Sequence, residues 1–583
     1  MIQELPLSEA AKSSPLYSPD LAPVPQDKRT WNKWNLAALW VGMAVCIPTY
    51  ILSSYMLKSG LSWVAALVII FLANLVITIP MVLNGHAGVK YGIPFPVIGR
   101  AAFGTRGVHV PSVLRAFVAC GWFGVQTWIG GLAIYSIWNA VLGHENETGL
   151  VLGKFIAFGV FWFINIYFIW KGTESIRWLE DYSAPILIII GLILVFWGYK
   201  QTGSFSSVLN QSVQLEKPSA ELFLEDFKFK LEINALRNIA GSIKASEYQV
   251  SIPAEKGTES EYKSLGWIMC QTEKMKMTIP QNVNGLDLDV VKSKSMPLKI
   301  QFRKQKEGTQ NEYLYSSVQL VYLKEEASAS GLFWNYILWF TAMVGFWATM
   351  AISISDITRY AKTQNDQLAG QFIGLPGTMM FYSFVGVFVT CAAVVSFQDV
   401  LISEDAPWDP VSLVSKFHSP LVVVFAQIAM IIATLTTNIA ANVIAPANAF
   451  ANIFPAKISF RVGGVIAGLT GIALCPWWIM DDISNLLIFV SGLLGPVLGI
   501  MLCDYFIIRS KILDVEDLFN PKGKYYYTNG INVPAFVALL TGVLVAILGK
   551  WIPVLEVLFS LSWFTGFAVS FLVYYAFAKQ NAK

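Results

Sequence analysis

Charged side chains are scarce. Asp, Glu, Lys and Arg make up 14% of the 583 residues, against about 25% in a soluble domain. Histidine is nearly absent, with four in the chain, and the six cysteines (Cys46, Cys120, Cys270, Cys391, Cys475, Cys503) form no CxxC pair. A zinc site needs a closer cluster of such ligands, and only Cys270 falls in the charged middle segment, so no disulfide staples that segment within itself. No nucleophile–base pairing stands out, which argues against an enzyme. The net charge of +3 gives no electrostatic footprint for nucleic acid. The first thirty residues are polar and Pro-rich, with acids at Glu4, Glu9, Asp20 and Asp27. A secretory signal needs a basic start and a short apolar core, so the first apolar run is the expected targeting signal.

What is abundant is apolar surface. Hydrophobic residues make up 55%, with 20 Trp and 38 Phe. A soluble protein cannot keep that much apolar surface dry. The little charge there is falls unevenly. Residues 201–330 hold 16 basic and 16 acidic side chains, about a quarter of the segment, while the other 453 residues are about 10% charged. The first figure suits a water-exposed domain and the second a membrane protein.

Runs of about 17 to 25 apolar residues mark crossings of a bilayer core about 30 Å thick. Twelve are expected, near 34–57, 61–85, 110–141, 150–170, 182–199, 333–355, 376–397, 420–447, 462–480, 484–507, 534–549 and 552–577. With the N-terminus inside, the inner segments carry 19 Lys and Arg, and the short outer loops carry only Lys58, Lys416 and Lys550. That bias puts both termini in the cytoplasm and 201–330 outside.

Five spans precede the charged segment and five follow it. An odd number of crossings inverts the second set relative to the first, and inverted repeats place a ligand between interrupted helices at the midplane. Span one contains Pro48 and span six Gly345, and each is expected to loosen its helix and free backbone carbonyls. In span three, Trp122 and Gln126 lie four apart on one face. A flat ring beside an amide suits a planar heterocycle, which stacks on one and is read at its edge by the other. Span eight carries Thr434, Thr436, Thr437, Asn438 and Asn442, polar groups that are costly in a bilayer unless partnered. No carboxylate lies mid-span; Asp356, Asp504 and Glu180-Asp181 fall near inner helix ends. Neutral oxygens around Na⁺ therefore fit better than a central carboxylate relay for H⁺.

Several motifs together resemble the nucleobase–cation symport-1 family, transporters of hydantoins, allantoin, uracil, cytosine and related compounds. They are Asn84-Gly-His86-Ala-Gly-Val-Lys90-Tyr-Gly-Ile-Pro-Phe-Pro-Val, Trp122-Phe-Gly-Val-Gln126-Thr-Trp128, Gly345-Phe-Trp347-Ala-Thr, Ser355-Asp-Ile-Thr-Arg359-Tyr-Ala, Thr437-Asn-Ile-Ala-Ala-Asn442 and Gly495-Pro-Val-Leu-Gly-Ile-Met-Leu-Cys-Asp504-Tyr-Phe. The resemblance implies an all-α, LeuT-like fold of two inverted five-helix repeats plus two helices. The divisions are a 1–33 inner segment, repeats at 34–200 and 331–507, a 201–330 insertion, and a 508–583 end with the extra helices. It implies symport by alternating access. It implies a substrate ring between Trp122 and Trp347, near Gly345, with Gln126 and Asn442 bonding its edge. It implies Na⁺ held by the carbonyls of Gly42, Val45 and Ala433 and the hydroxyls of Thr436 and Thr437, with H⁺ the alternative. Two positions depart from the family pattern. Cys46 stands where hydantoin and allantoin carriers place an amide, and Phe346 fills space that a smaller residue leaves open, so the heterocycle stays undetermined.

The insertion lies outside the resemblance. Period-two alternation at 227–233, 274–279, 298–302, 313–315 and 318–322 reads as strands of a small β-rich domain. Such a domain raises a further reading, a sensor or receptor that binds an unknown partner there. The other partners expected are the bilayer and the small heterocycle.

Overall fold

A computed structural model describes residues 7–59, 61–144, 146–147, 149–210, 219–225, 228–235, 247–254, 262–272, 274–280, 288–292, 296–305, 312–316, 318–323, 330–396, 410–415, 417, 419–479 and 483–581.

The helices follow the apolar runs in order. The first crossing is broken into α1 (Lys33–Ala44) and α2 (Ile47–Lys58), bent by 59°. Then come α3 (Trp63–Tyr91), the short α4 (Phe95–Phe103), α5 (His109–Leu142), α6 (Leu152–Lys171) and α7 (Thr173–Thr202). The second half opens on another interrupted helix, α8 (Ser330–Phe346) and α9 (Ala348–Ser353), followed by α10 (Gln364–Ser396). Span eight runs through α11 (Pro420–Asn442) into α12 (Ile444–Ile453). The remaining long helices are α13 (Phe460–Ala473), α14 (Ile483–Leu502), α15 (Val533–Leu548) and α16 (Ser562–Asn581). Counting each interrupted pair once, and α4 as a connector, gives twelve crossings. Seven are long and apolar enough to cross by length and composition, and the bent first pair makes eight.

Eight of the crossings pack as two groups of four. Spans one, two, six and seven (α1–α2, α3, α8–α9, α10) pack on one another. Spans three, four, eight and nine (α5, α6, α11–α12, α13) form the other group. The first helix of each half is interrupted, as inverted repeats around a central ligand require.

The Asn84 motif closes the contact between spans two and six. Asn84 Nδ2 donates to the carbonyls of Ala351 (2.8 Å) and Ile352 (2.7 Å), and Thr358 Oγ1 donates to the Gly85 carbonyl at 2.9 Å. Those carbonyls end α9 and would otherwise be orphaned. Gly88 permits the approach, because a Cβ there would lie 2.4 Å from Thr358 Oγ1 and 2.9 Å from Ser355 Cα. Asp356 then caps α4, accepting the Phe95 N–H at 3.0 Å.

Between the halves lie two antiparallel sheets. The strands are β1 (Ser219–Glu225), β2 (Lys228–Asn234), β3 (Glu247–Pro253), β4 (Tyr262–Met269), β5 (Lys274–Thr278), β6 (Leu298–Gln305), β7 (Tyr313–Tyr315) and β8 (Gln319–Val321). One sheet has the order β1-β2-β5; the other runs β4-β3-β6, with β7 and β8 both on the far edge of β6. Their inner faces share one core that includes Leu222, Leu231, Ile233, Val250, Ile252, Ile300 and Phe302. No member of that core belongs to the helical clusters. The alternation expected at 227–233, 274–279, 298–302, 313–315 and 318–322 overlaps β2, β5, β6, β7 and β8, with ends that differ by one to three residues; Phe227 lies outside the described residues.

Candidate substrate and cation sites

Span one does not break at Pro48. The helix ends at Ala44, Val45 leaves helical geometry (φ −78°, ψ 76°), and Cys46 is extended before α2 begins. Pro48 is the second residue of α2, where its missing N–H removes no helical bond. The break has a precise effect on hydrogen bonding. The Cys46 N–H turns to the Ala44 carbonyl (3.0 Å) and so leaves the Gly42 carbonyl without its usual i+4 donor.

Side chains of α11 meet that freed backbone. Thr436 Oγ1 lies 3.1 Å from the Gly42 oxygen and 2.9 Å from the Ala433 oxygen. Thr437 Oγ1 lies 3.0 Å from Gly42 O, 3.1 Å from Met43 O and 3.0 Å from Ala433 O. Five oxygens thus make five contacts within 3.1 Å, yet two hydroxyls supply only two protons. Of the residues expected around a cation, Gly42, Ala433, Thr436 and Thr437 come together here. Val45 packs against Ala433 through its side chain, and Met43 contributes a carbonyl that the sequence did not suggest.

Span six breaks at Trp347, between α8 and α9. Gly345 is not the break. It sits inside α8 because a Cβ there would fall 1.8 Å from Ser491 Oγ of α14. Four aromatic rings run from the third span to the first. Trp122 and Phe346 are 5.6 Å apart at 84°, Phe346 and Trp347 5.0 Å at 70°, and Trp347 and Trp40 5.2 Å at 85°. Phe346 is therefore packed edge-on against Trp122. Trp347 is buried, and its Nε1–H has no partner among the described residues.

Cys46 lies at the break itself. Its thiol is fully buried, 3.3 Å from Thr49 Oγ1. Gln126 Oε1 is buried with no partner among the described residues. Asn442 lies at the C-terminal end of α11, one residue before the step into α12, and its Nδ2 donates to Asn438 Oδ1 at 3.2 Å.

Arg115 was missed by the spacing arguments. It is 1% exposed and joins the groups: its Nε donates to the Thr349 carbonyl at 2.7 Å and to Ser353 Oγ at 3.1 Å, and Nη2 to the Ala441 carbonyl at 3.1 Å. The signal was present, since an arginine inside an apolar run implies a dedicated partner.

Two interrupted helices facing polar residues of spans three and eight define a multi-pass membrane transporter. Comparison with known proteins gives the particular kind. A sequence profile described as permease for cytosine/purines, uracil, thiamine, allantoin matches residues 23–226 and 313–566. The allantoin permease of Bacillus subtilis is 31% identical, over 97% of this chain and 93% of its own length. A purine-uracil permease of Arabidopsis thaliana is also 31% identical, over 92% of this chain and 71% of its own. A solved nucleobase-cation-symport-1 transporter, closed with bromovinylhydantoin bound, superposes with a TM-score of 0.66 at 20% identity, covering 97% of this chain and 95% of that one; this likeness concerns the fold. The chain belongs to the nucleobase-cation-symport-1 family. It is a permease, not an enzyme. The profile match stops at 226 and resumes at 313, a gap that holds β2 to β6.

Proposed function

We propose that this permease imports a small planar nitrogen heterocycle together with Na⁺, by alternating access between its two four-helix groups. The names of its relatives support a hydantoin, allantoin, uracil or related nucleobase. The ring would stack at Trp122 and Trp347 beside Gly345 and Phe346. Gln126, Asn442 and Cys46 would face its polar edge. Na⁺ would take the oxygens of Gly42, Val45, Ala433, Thr436 and Thr437.

The proton deficit at the break in span one carries the reading for Na⁺. Unprotonated oxygens in mutual contact repel, and a bare cation removes the repulsion. The cluster contains no carboxylate. The lysine and arginine bias supports cytoplasmic termini in a plasma or inner membrane, with 201–330 outside and the repeats at 34–200 and 331–507.

Proton coupling is the second reading, and one observation favours it. Asp356 is 2% exposed, and its Oδ2 has no hydrogen-bond partner among the described residues, as expected of a carboxyl that carries a proton. Uptake of radiolabelled allantoin, hydantoin and uracil into proteoliposomes decides between them. The expected result is uptake driven by a Na⁺ gradient at equal pH on both sides. Uptake driven only by a pH gradient selects the proton reading, and no uptake of any of the three overturns the substrate class.

A further inference from the structure

The chain ahead of the first span holds no helix between Lys12 and Gln26, yet it is well fastened. Pro15, Pro19, Pro23 and Pro25 each fix a backbone angle and disfavour helix. They also lower the entropy that ordering the segment costs. The result is a strap laid across the ends of spans two, six and nine. Leu21 is fully buried in it, and with Leu7 and Ala11 it belongs to the main helical core.

The strap is bonded to both helix groups. On the side of spans eight and nine, the Leu16 carbonyl accepts from Arg100 Nη2 at 3.0 Å, and the buried Arg100 also donates to Asn452 Oδ1 of α12 at 2.7 Å. The Asp20 carboxylate accepts the Phe460 N–H at 2.8 Å. Phe460 opens α13, so the acid meets an amide with no partner inside the helix and faces the positive end of its dipole. On the side of spans two and six, the Asp20 carbonyl accepts from Arg359 Nη1 and Nη2, both at 3.1 Å, and the Ala22 carbonyl from Nη2 at 3.4 Å. The Val24 N–H donates to the Gly92 carbonyl at 2.9 Å, just past α3. The Trp31 N–H donates to the Tyr360 carbonyl at 3.0 Å, and the Trp31 carbonyl accepts the Lys362 N–H at 2.8 Å. Asp20 is where the groups meet. It holds span nine through its side chain and span six through its carbonyl.

We propose that residues 16–24 are a latch on the inner gate, and that inward opening requires Asp20 to release one of the two groups. This rests on the proposed alternating access and cytoplasmic N-terminus. Two buried positions report on the gap between the groups. Ala441, 8% exposed, lies towards the strap end of span eight, where its carbonyl accepts from Arg115. Val411, 5% exposed, lies towards the other end, among Ile47 and Ile51 of span one and Val125 and Ile129 of span three. When the groups rock apart at one face they close at the other. Losing the latch therefore exposes 441 and hides 411, whereas a general loosening exposes both.

The test uses the full-length protein in membranes, with a thiol introduced by Ala441→Cys or, separately, by Val411→Cys. A charged, membrane-impermeant maleimide is added to inverted vesicles for the first and to intact cells for the second. Mass spectrometry reads labelling at that position alone. Asp20→Ala and, independently, Arg359→Gln remove charge-assisted bonds between the groups, and each is expected to raise the labelling rate at 441 at least about tenfold and to lower it at 411. Ser8→Ala is the control. It removes a hydroxyl that donates to Glu516 at 2.8 Å, a strap contact with the loop after span ten, which belongs to neither group. Both rates are expected to stay within about twofold of the wild type in that variant. A rate at 441 that is unchanged in both Asp20→Ala and Arg359→Gln overturns the latch, and so does a rise at 411 alongside 441. A thiol at 441 that reacts in intact cells and not in inverted vesicles overturns the cytoplasmic placement of the N-terminus instead.

Discussion

The Thr437 hydroxyl oxygen stands 3.0 Å from the carbonyl oxygen of Gly42, so a side chain in span eight is held against backbone freed by the break in span one. The two residues belong to different helix groups. Any ion held between them ties the groups together, and its departure loosens one such tie. Thr437→Val keeps the shape and removes the hydroxyl. It is expected to raise the Na⁺ concentration for half-maximal uptake by at least about tenfold, while Thr434→Val, a buried hydroxyl of the same helix with no partner among the described residues, leaves it nearly unchanged. Uptake against Na⁺ concentration measures both.

Arg115 crosses the same divide with a fixed charge. Arg115→Met strips the donors from the Thr349 and Ala441 carbonyls. Hydrogen bonds to charged groups contribute about 1.5–3 kcal/mol each, so uptake is expected to drop at least tenfold. Arg115→Lys keeps the charge but cannot reach both carbonyls with a planar fork, and an intermediate rate is expected. Initial uptake rates at matched membrane expression provide the check.

Gly88 is a matter of clearance. Gly88→Ala puts a methyl group against Thr358 Oγ1 and Ser355 Cα, and overpacking of that kind costs about 1–3 kcal/mol. The melting temperature is expected to fall. Adding Thr358→Ala should recover only part of the loss, because the Ser355 backbone contact remains.

The sheets between the halves have their own core. Replacing 219–323 by a short Gly/Ser linker removes no member of the helical cluster. The melting temperature of the remainder is expected to stay within a few degrees of the wild type, with uptake retained. Loss of uptake at an unchanged melting temperature would assign the insertion a role in transport or in binding a partner.

Apolar run length made the helices legible, and period-two alternation revealed five of the eight strands. The central strand β3 was overlooked although Tyr248, Val250 and Ile252 alternate cleanly and are buried. Its pattern is as plain as that of β6. The breaks were legible to within a few residues. Pro48 and Gly345 flag the interrupted helices, but proline is tolerated at a helix start, and Gly345 answers to Ser491 across a packing contact that no local pattern encodes. The polar residues of span eight were visible as costly groups. Spacing could not tell Asn438 from Asn442, because the difference lies in acceptors contributed by spans three and four. Arg115 was legible as a charge in an apolar run, but its partners lie more than two hundred residues away.

The break at Val45 and Cys46 also sets two helix ends of opposite sign almost back to back. α1 finishes on carbonyl oxygens, the negative end of its dipole, and α2 begins on amide hydrogens, the positive end. One interruption of the chain therefore attracts a cation on one side and an electron-rich oxygen on the other. A ligand carbonyl drawn to the start of α2 and an ion drawn to the end of α1 would each steady the bend that the other needs. Coupling between solute and ion then requires no relay between distant sites, because both would rest on the same kink.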